Sequence, residues 1–299
     1  MDSIELILAS AVRLAIPLAF AALGEWIAER AGTLNISLEG MMLGGAFTAV
    51  AGAHMTGSPS AGLAFGVAAG LLVAVVHATF SHRLSVNTYV VGLTLNVLVL
   101  GLTSFLIMRT ESRQVDKLTI PLLSDIPVVG PALFDQRWPA YLLIGLVPAA
   151  FWLVHRSRWG LEARAAGENP GSADVSGIDV NKRRRQALMI CGVLAGFGGA
   201  YLAVAEVGTF NQNMTAGRGY MVIAAVIFGG WLLRGTLAGV LVFGAADAMR
   251  LALPALGYEL NPQFLIASPY LLALIAMTFF AKSHRGPAAL GQPFVRGIT

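Results

Sequence analysis

The sequence predicts an all-α polytopic membrane protein of about eight to nine transmembrane helices, with short discontinuous helices and an inverted internal repeat. Three observations carry that reading. Of 299 residues, 56% are apolar and only 12% charged, with a mean hydropathy of +0.71. A soluble domain carries about 25% charged residues to cover its surface, so lipid must replace water as the outer solvent here. Second, apolar runs long enough to cross ~30 Å of hydrocarbon recur along the whole chain. Third, two of those runs are short and glycine-rich, and they stand at matching places in the two halves.

The spans read as 4–24, 38–54, 60–80, 87–108, 139–156, 186–206, 217–231, 235–253 and 264–281, the second and seventh being the short pair. Residues 1–299 form a single transmembrane domain, with an outer loop at about 109–138 and an inner loop at about 157–186. Ala19-Phe20-Ala21 has the look of a cleavage site. Asp2 and Glu5 stand where a signal peptide needs basic residues, however, so the first segment is expected to stay as a helix.

Orientation follows from arginine and lysine near the helix ends. Arg156, Arg158, Arg164 and Lys182-Arg183-Arg184-Arg185 place the 157–186 loop in the cytoplasm. Lys282, Arg285 and Arg296 place the C-terminus there too. The N-terminus then falls outside, unless the second segment is re-entrant. The location implied is the inner (plasma) membrane of a bacterium.

The repeat is visible where Gly40-Met41-Met42-Leu43-Gly44-Gly45-Ala46 echoes Gly219-Tyr220-Met221-Val222-Ile223-Ala224-Ala225. Each is followed by a helix with spaced glycines: Gly62, Gly66 and Gly70 in one copy, Gly235 and Gly239 in the other. Small residues at that spacing let helix backbones approach closely in lipid. Membrane transporters place solutes where such interrupted helices begin. The candidate pathway residues are therefore Asn35, Ser37, Glu39 and Met42 at the first start, and Asn211, Asn213, Thr215, Arg218 and Tyr220 at the second. Amides and hydroxyls both donate and accept, which suits a neutral polyhydroxy or heterocyclic solute. Structural roles compete: Ser37 as an N-cap, Glu39 opposing a helix dipole, Arg218 as the counter-ion of Glu39. Asn87 and Asn96 lie on opposite sides of one helix, so at most one of them faces a central pathway. Glu39 and Asp247 are the strongest intramembrane carboxylates.

In the inner loop, Asn169 followed by Pro170 reads as N-cap then first helical residue, and Gly177 as the stop. A capped two-turn helix in a connector suits a docking knob for a soluble partner. Cys191 reads as a small packing residue.

Several functions are excluded. Lys117, Lys182 and Lys282 do not follow glycine, so no Walker A loop exists and the chain binds no ATP by that motif. Histidines are scattered without metal-ligand spacing. A nucleophile with its base is not visible either, so the chain reads as non-catalytic with no cofactor of its own. Nothing points to nucleic acid. A stand-alone secondary transporter or channel remains the alternative on these grounds.

The run from Glu29-Arg30-Ala31-Gly32-Thr33-Leu34-Asn35 through Ile36-Ser37-Leu38-Glu39-Gly40-Met41-Met42 resembles the signature of nucleoside-type permeases. Those are subunits of ATP-binding-cassette importers, related to simple-sugar and branched-chain amino-acid permeases. Arg164 to Pro170 with Gly177-Ile178, Asn213 to Gly219 with Ala224 to Gly229, and Asn87 with Gly92 to Asn96 extend the likeness over nearly the whole chain. The resemblance implies a type II-like permease, as one half of a pathway for nucleosides or, in the sugar-type alternative, for sugars. It implies a second permease chain, a tandem ATPase that hydrolyses the ATP, and a lipoprotein or periplasmic receptor as partners. This chain would be the shorter permease. Arg164, Glu168, Asn169, Pro170, Ala173 and Gly177 would then belong to the coupling element that meets the ATPase. Ser37 departs from the glycine usual in the family.

Overall fold

A computed structural model of the chain describes residues 3–106, 117–119, 135–255, 261, 263, 267–268, 271, 275 and 286–297. The first half holds α1 (Ser3–Arg30), α2 (Leu38–Thr56), α3 (Pro59–His82) and α4 (Thr88–Phe105). A three-residue antiparallel ribbon follows, β1 (Lys117–Thr119) on β2 (Asp135–Arg137), with Leu118 opposite Gln136. It is the one sheet among the described residues. The chain continues through a 3₁₀ turn into α5 (Leu142–Arg156), then α6 (Arg158–Glu168), α7 (Pro170–Val175) and α8 (Val180–Ala200). A π-helical stretch, Tyr201–Val207, extends α8, and α9 (Arg218–Phe228) and α10 (Leu233–Ala255) complete the second half. The ninth expected span, 264–281, lies largely outside the described residues, as does most of the 109–138 loop.

Six described helices are long and apolar enough to cross a membrane: α1, α3, α4, α5 with its 3₁₀ turn, α8 with its π extension, and α10. The two short elements, α2 and α9, are the glycine-rich pair. Helices prevail because lipid offers no partner for a free N–H or C=O, so each segment must satisfy its own backbone.

Helix α1 reaches Arg30 rather than ending near residue 24, which carries Glu25 and Glu29 into the interior of the helix bundle, both fully buried. It is buried around most of its circumference and packs on α8 and α10. The repeat is legible in the packing: α1 lies on α10 as α8 lies on α3, and α2 lies on α3 as α9 lies on α10. The spaced glycines make these contacts possible. A Cβ on Gly70 would stand 2.6 Å from the Cα of Gly196 in α8, and one on Gly244 would stand 3.0 Å from the Cα of Ala15 in α1.

Residues 286–297 are built into the fold as a strap, on the same end of the bundle as α6 and α7. Gly286 lies on the indole of Trp231, and Gly291 N–H donates to Gly32 C=O at 3.0 Å. Ala289 N–H donates to Gly167 C=O at 2.9 Å. Arg184, fully buried, donates to the carbonyls of Gln292 (2.6 Å), Ala166 (3.1 Å) and Ala289 (3.4 Å). Phe294 then inserts among Ala166, Ala173 and Val180. Arg296 ends the strap on Asp174 at 3.1 Å.

Candidate functional site: two half-helices meeting head to head

Helices α2 and α9 run in opposite directions and bring their N-termini together. Ser37 occupies the N-cap position of α2, yet its side chain caps nothing. Its hydroxyl donates to Asn35 Oδ1 at 2.7 Å and lies 2.7 Å from His77 Nδ1, so the expected cap is corrected. Asn96 supplies the cap instead. Its Oδ1 accepts from Gly40 N–H at 2.8 Å, the third N–H of the helix, and its Nδ2 donates to Ile36 C=O and to the Tyr220 hydroxyl, both at 2.8 Å. One amide from α4 therefore satisfies the start of α2 and holds the start of α9.

Glu39 completes the junction from the other side. Its Oε1 accepts from the Thr215 hydroxyl at 2.5 Å and from Gly217 N–H at 2.8 Å, and its Oε2 accepts from Gly219 N–H at 2.6 Å. The carboxylate thus sits on the N-terminus of α9, where free N–H groups and the dipole favour an anion. Gly219 allows the approach, because a Cβ there would lie 2.7 Å from the Cα of Glu39. Arg218 is not the counter-ion of Glu39. It pairs with Asp247 of α10 at 2.6 Å, and Asp247 also holds Arg250 at 2.9 Å. Glu39 already has three donors, the Thr215 hydroxyl and the Gly217 and Gly219 N–H groups, leaving Arg218 to pair on α10.

The sequence-predicted residues separate into two groups. Asn35, Ser37, Met42 and Thr215 are fully buried, and Glu39 and Asn96 nearly so. Asn35 spends its groups internally: its N–H donates to Glu25 at 3.0 Å, and its amide reaches Cys191 Sγ at 3.2 Å and Met41 Sδ at 3.3 Å. Asn211, Asn213 and Tyr220 are exposed, with Arg218 largely buried beside them. Asn87 is exposed and caps α4, accepting from Tyr89 N–H at 2.9 Å, while Asn96 faces the interior, as their spacing predicts. The 208–217 loop is tied to the end of α4 by Gln212 Nε2 donating to Ser104 Oγ at 3.1 Å.

Sequence reading missed a second buried network. Glu25 and Glu29, one turn apart on α1, join Asn35, Cys191 and Trp231; Trp231 Nε1 donates to Glu29 at 2.5 Å. Cys191 is a hydrogen-bonding member rather than packing alone. The acid pair at i, i+4 just past an apolar run was the available signal. Trp231 has φ +55, a left-handed backbone that a bulky residue adopts only under constraint. Its carbonyl accepts from Trp26 Nε1 at 2.8 Å, which helps to hold it there.

At the arginine-rich end, α7 has the caps its sequence predicts. Asn169 Oδ1 accepts from Ser172 N–H at 2.9 Å and Pro170 opens the helix. Gly177, at φ +85, closes it, with Gly177 N–H donating to Asp174 C=O at 2.9 Å and Ile178 N–H to Ala173 C=O at 3.0 Å. Ala173 is buried against Phe294 and Val180, while Val175 is 91% exposed. Glu168 accepts from Ala288 N–H at 3.4 Å. Replacing Gly177 by alanine should loosen this helix by about 1 kcal/mol, because a Cβ disfavours the left-handed turn. Hydrogen exchange at Ala173 and Ile178 would report it, and unchanged protection would refute it.

A family model described as branched-chain amino acid transport system / permease component matches residues 7–281. The guanosine ABC transporter permease protein NupQ of Bacillus subtilis (strain 168) is 33% identical, over 95% of this chain and 94% of its own length. The nucleoside ABC transporter permease protein NupC of Lactococcus lactis subsp. cremoris (strain MG1363) is 32% identical, over 99% of this chain and 98% of its own. The ribose import permease protein RbsC of Escherichia coli (strain K12) is 34% identical over 36% of this chain and 35% of its own. With its apolar spans, its paired half-helices and a family match over almost all of its length, the chain is a multi-pass membrane protein that belongs to the branched-chain amino acid transport system / permease component family.

Proposed function

We propose that this chain is the permease subunit of an ATP-driven importer, forming half of the pathway for purine or pyrimidine nucleosides across a bacterial inner membrane. The near full-length likeness to NupQ and NupC supports that solute class. The structural observation that carries the reading is α7, a separately capped helix at the arginine-rich end whose Val175 projects outward with no apolar neighbour to cover it. Such a knob suits a cleft on a separate ATPase, and its end of the bundle, strap included, is cytoplasmic in this reading. Arg164, Glu168, Asn169, Pro170, Ala173 and Gly177 shape or support the knob. A second permease chain and a solute receptor complete the importer.

The solute path in this reading passes Asn211, Asn213 and Tyr220, with the Arg218–Asp247 pair beside them. Asn35, Ser37, Glu39, Met42, Asn96 and Thr215 hold the two half-helices that form its wall. Asn87 caps α4.

Val175→Asp is the direct test, since the side chain is exposed and the substitution leaves folding intact. Nucleoside uptake by cells carrying the complete importer should fall at least tenfold, the effect of losing about 1.4 kcal/mol of docking. Full uptake by this variant would remove α7 from the ATPase contact. The ribose permease likeness favours a sugar as the second reading. Cells carrying the importer should take up labelled guanosine and not labelled ribose, with excess ribose leaving guanosine uptake unchanged; uptake of labelled ribose and not of labelled guanosine would establish the sugar reading.

A further inference from the structure

At the arginine-rich end of the bundle, a groove of about 640 Å³ opens between the last turns of α5 and the first turn of α10. Val147, Phe151, Leu232 and Leu237 make its apolar floor, and Arg156 and Arg234 stand at its rim. Both arginines are exposed, and neither has an ion pair or side-chain hydrogen bond among the described residues. Arg13, Arg183, Arg218, Arg250 and Arg296, by contrast, each meet a carboxylate. Arg234 also sits in the first turn of α10, where the helix dipole is positive as well, so its own helix offers it no compensation. The groove therefore presents two cations that meet no carboxylate among the described residues, of which Arg156 has the favourable C-terminal dipole of α5 and Arg234 has none, beside an apolar lining.

That floor continues onto the outer face of α5, where Leu142, Ile144, Phe151 and Trp152 are exposed. In a membrane-spanning helix such a face meets acyl chains, and an exposed Trp near the helix end suits the headgroup level. A soluble anion would need the arginines but not the apolar floor. An acyl chain would need the floor but not the arginines. We propose that the groove binds an anionic phospholipid, its phosphate between Arg156 and Arg234 and an acyl chain along Val147, Phe151 and Leu237. Basic recesses between helix ends on the positively charged side of a membrane protein suit such headgroups. The site does not depend on which solute is carried or on which motor drives it.

The test uses the full chain purified in detergent and native mass spectrometry with added lipid. Phosphatidylglycerol and phosphatidylethanolamine of matched acyl chains are titrated in parallel. Phosphatidylglycerol should bind roughly tenfold more tightly, as two basic groups at an anionic headgroup imply. Arg156→Gln with Arg234→Gln should erase that preference, and the double lysine variant should restore most of it. Both side chains are exposed, so the variants should keep the thermal unfolding of the parent. Equal binding of the two lipids, or a preference that survives the glutamine pair, would overturn the proposal. Displacement of the lipid by millimolar inorganic phosphate would make this a soluble-anion site and overturn it too. A dimer that protects Phe151 from labelling and takes up neither lipid would give the groove to a second copy of the chain.

Discussion

Glu39→Ala is expected to cost the protein about 3 kcal/mol or more of stability and nearly all of its transport, the largest effect of any single side chain in the junction. Its carboxylate takes three hydrogen bonds from the turn that begins α9, at 2.5, 2.6 and 2.8 Å. Removing it strands the buried Gly219 N–H and Thr215 hydroxyl, and frees the half-buried Gly217 N–H. A buried donor left unsatisfied is costly. The glutamine variant is the informative contrast. Glu39→Gln keeps the shape and one acceptor oxygen, but turns an NH2 toward a donor and removes the charge that opposes the dipole. It should fall between wild type and alanine. Thermal unfolding of the purified chain, read beside nucleoside uptake, checks both. An alanine variant that melts with the wild type would show that the start of α9 is satisfied without Glu39.

Arg184 is the second expected large effect. A fully buried guanidinium reaches three carbonyls, two from the strap and one from α6, and so ties three separate pieces of chain together. Hydrogen bonds to a charged group contribute roughly 1.5–3 kcal/mol each when made, and their loss also leaves carbonyls unsatisfied. Arg184→Met keeps the bulk and removes the donors. The strap should then detach, exposing residues 286–297 to limited proteolysis and dropping nucleoside uptake at least tenfold as the support beneath α7 is lost. Arg184→Lys should rescue only in part, since an ammonium is a point charge without the planar fork that spans diverging acceptors. A methionine variant with a protected tail and full uptake would show that Phe294 and the backbone bonds hold the strap by themselves.

Much of this organisation was legible in the sequence, and the exceptions share a cause. Spans are set by local composition, so eight of the nine expected segments lie on described helices. The α7 caps were legible because Asn169, Pro170 and Gly177 act on the backbone within a few residues of themselves. The end of α1 was not, because Glu25, Glu29 and Arg30 resemble a polar boundary until Trp231, Asn35 and Cys191 are known to surround them. Glu39 illustrates the limit best. Its position at a helix start pointed to a dipole role, but the helix it serves lies 180 residues away at Gly219. A resemblance can locate such a residue; only the fold shows whose amides it takes. The strap was invisible for the same reason, since Gly286 to Gly297 has no period and makes sense only against Trp231, Arg184 and α7.

That strap bears on how the molecule is made. Phe294 and Arg296 leave the ribosome after every described span, yet they finish the seat of α7, whose Asp174 precedes Arg296 by 122 positions. The knob cannot be firmly mounted until residues 286–297 have been translated. A chain cut short by a nonsense codon just before them, or one stalled in insertion, would hold those spans and still carry α7 without its brace. For the same reason a reporter joined directly after Arg296 is attached to a working part of the machine, and an affinity tag belongs on the N-terminal side.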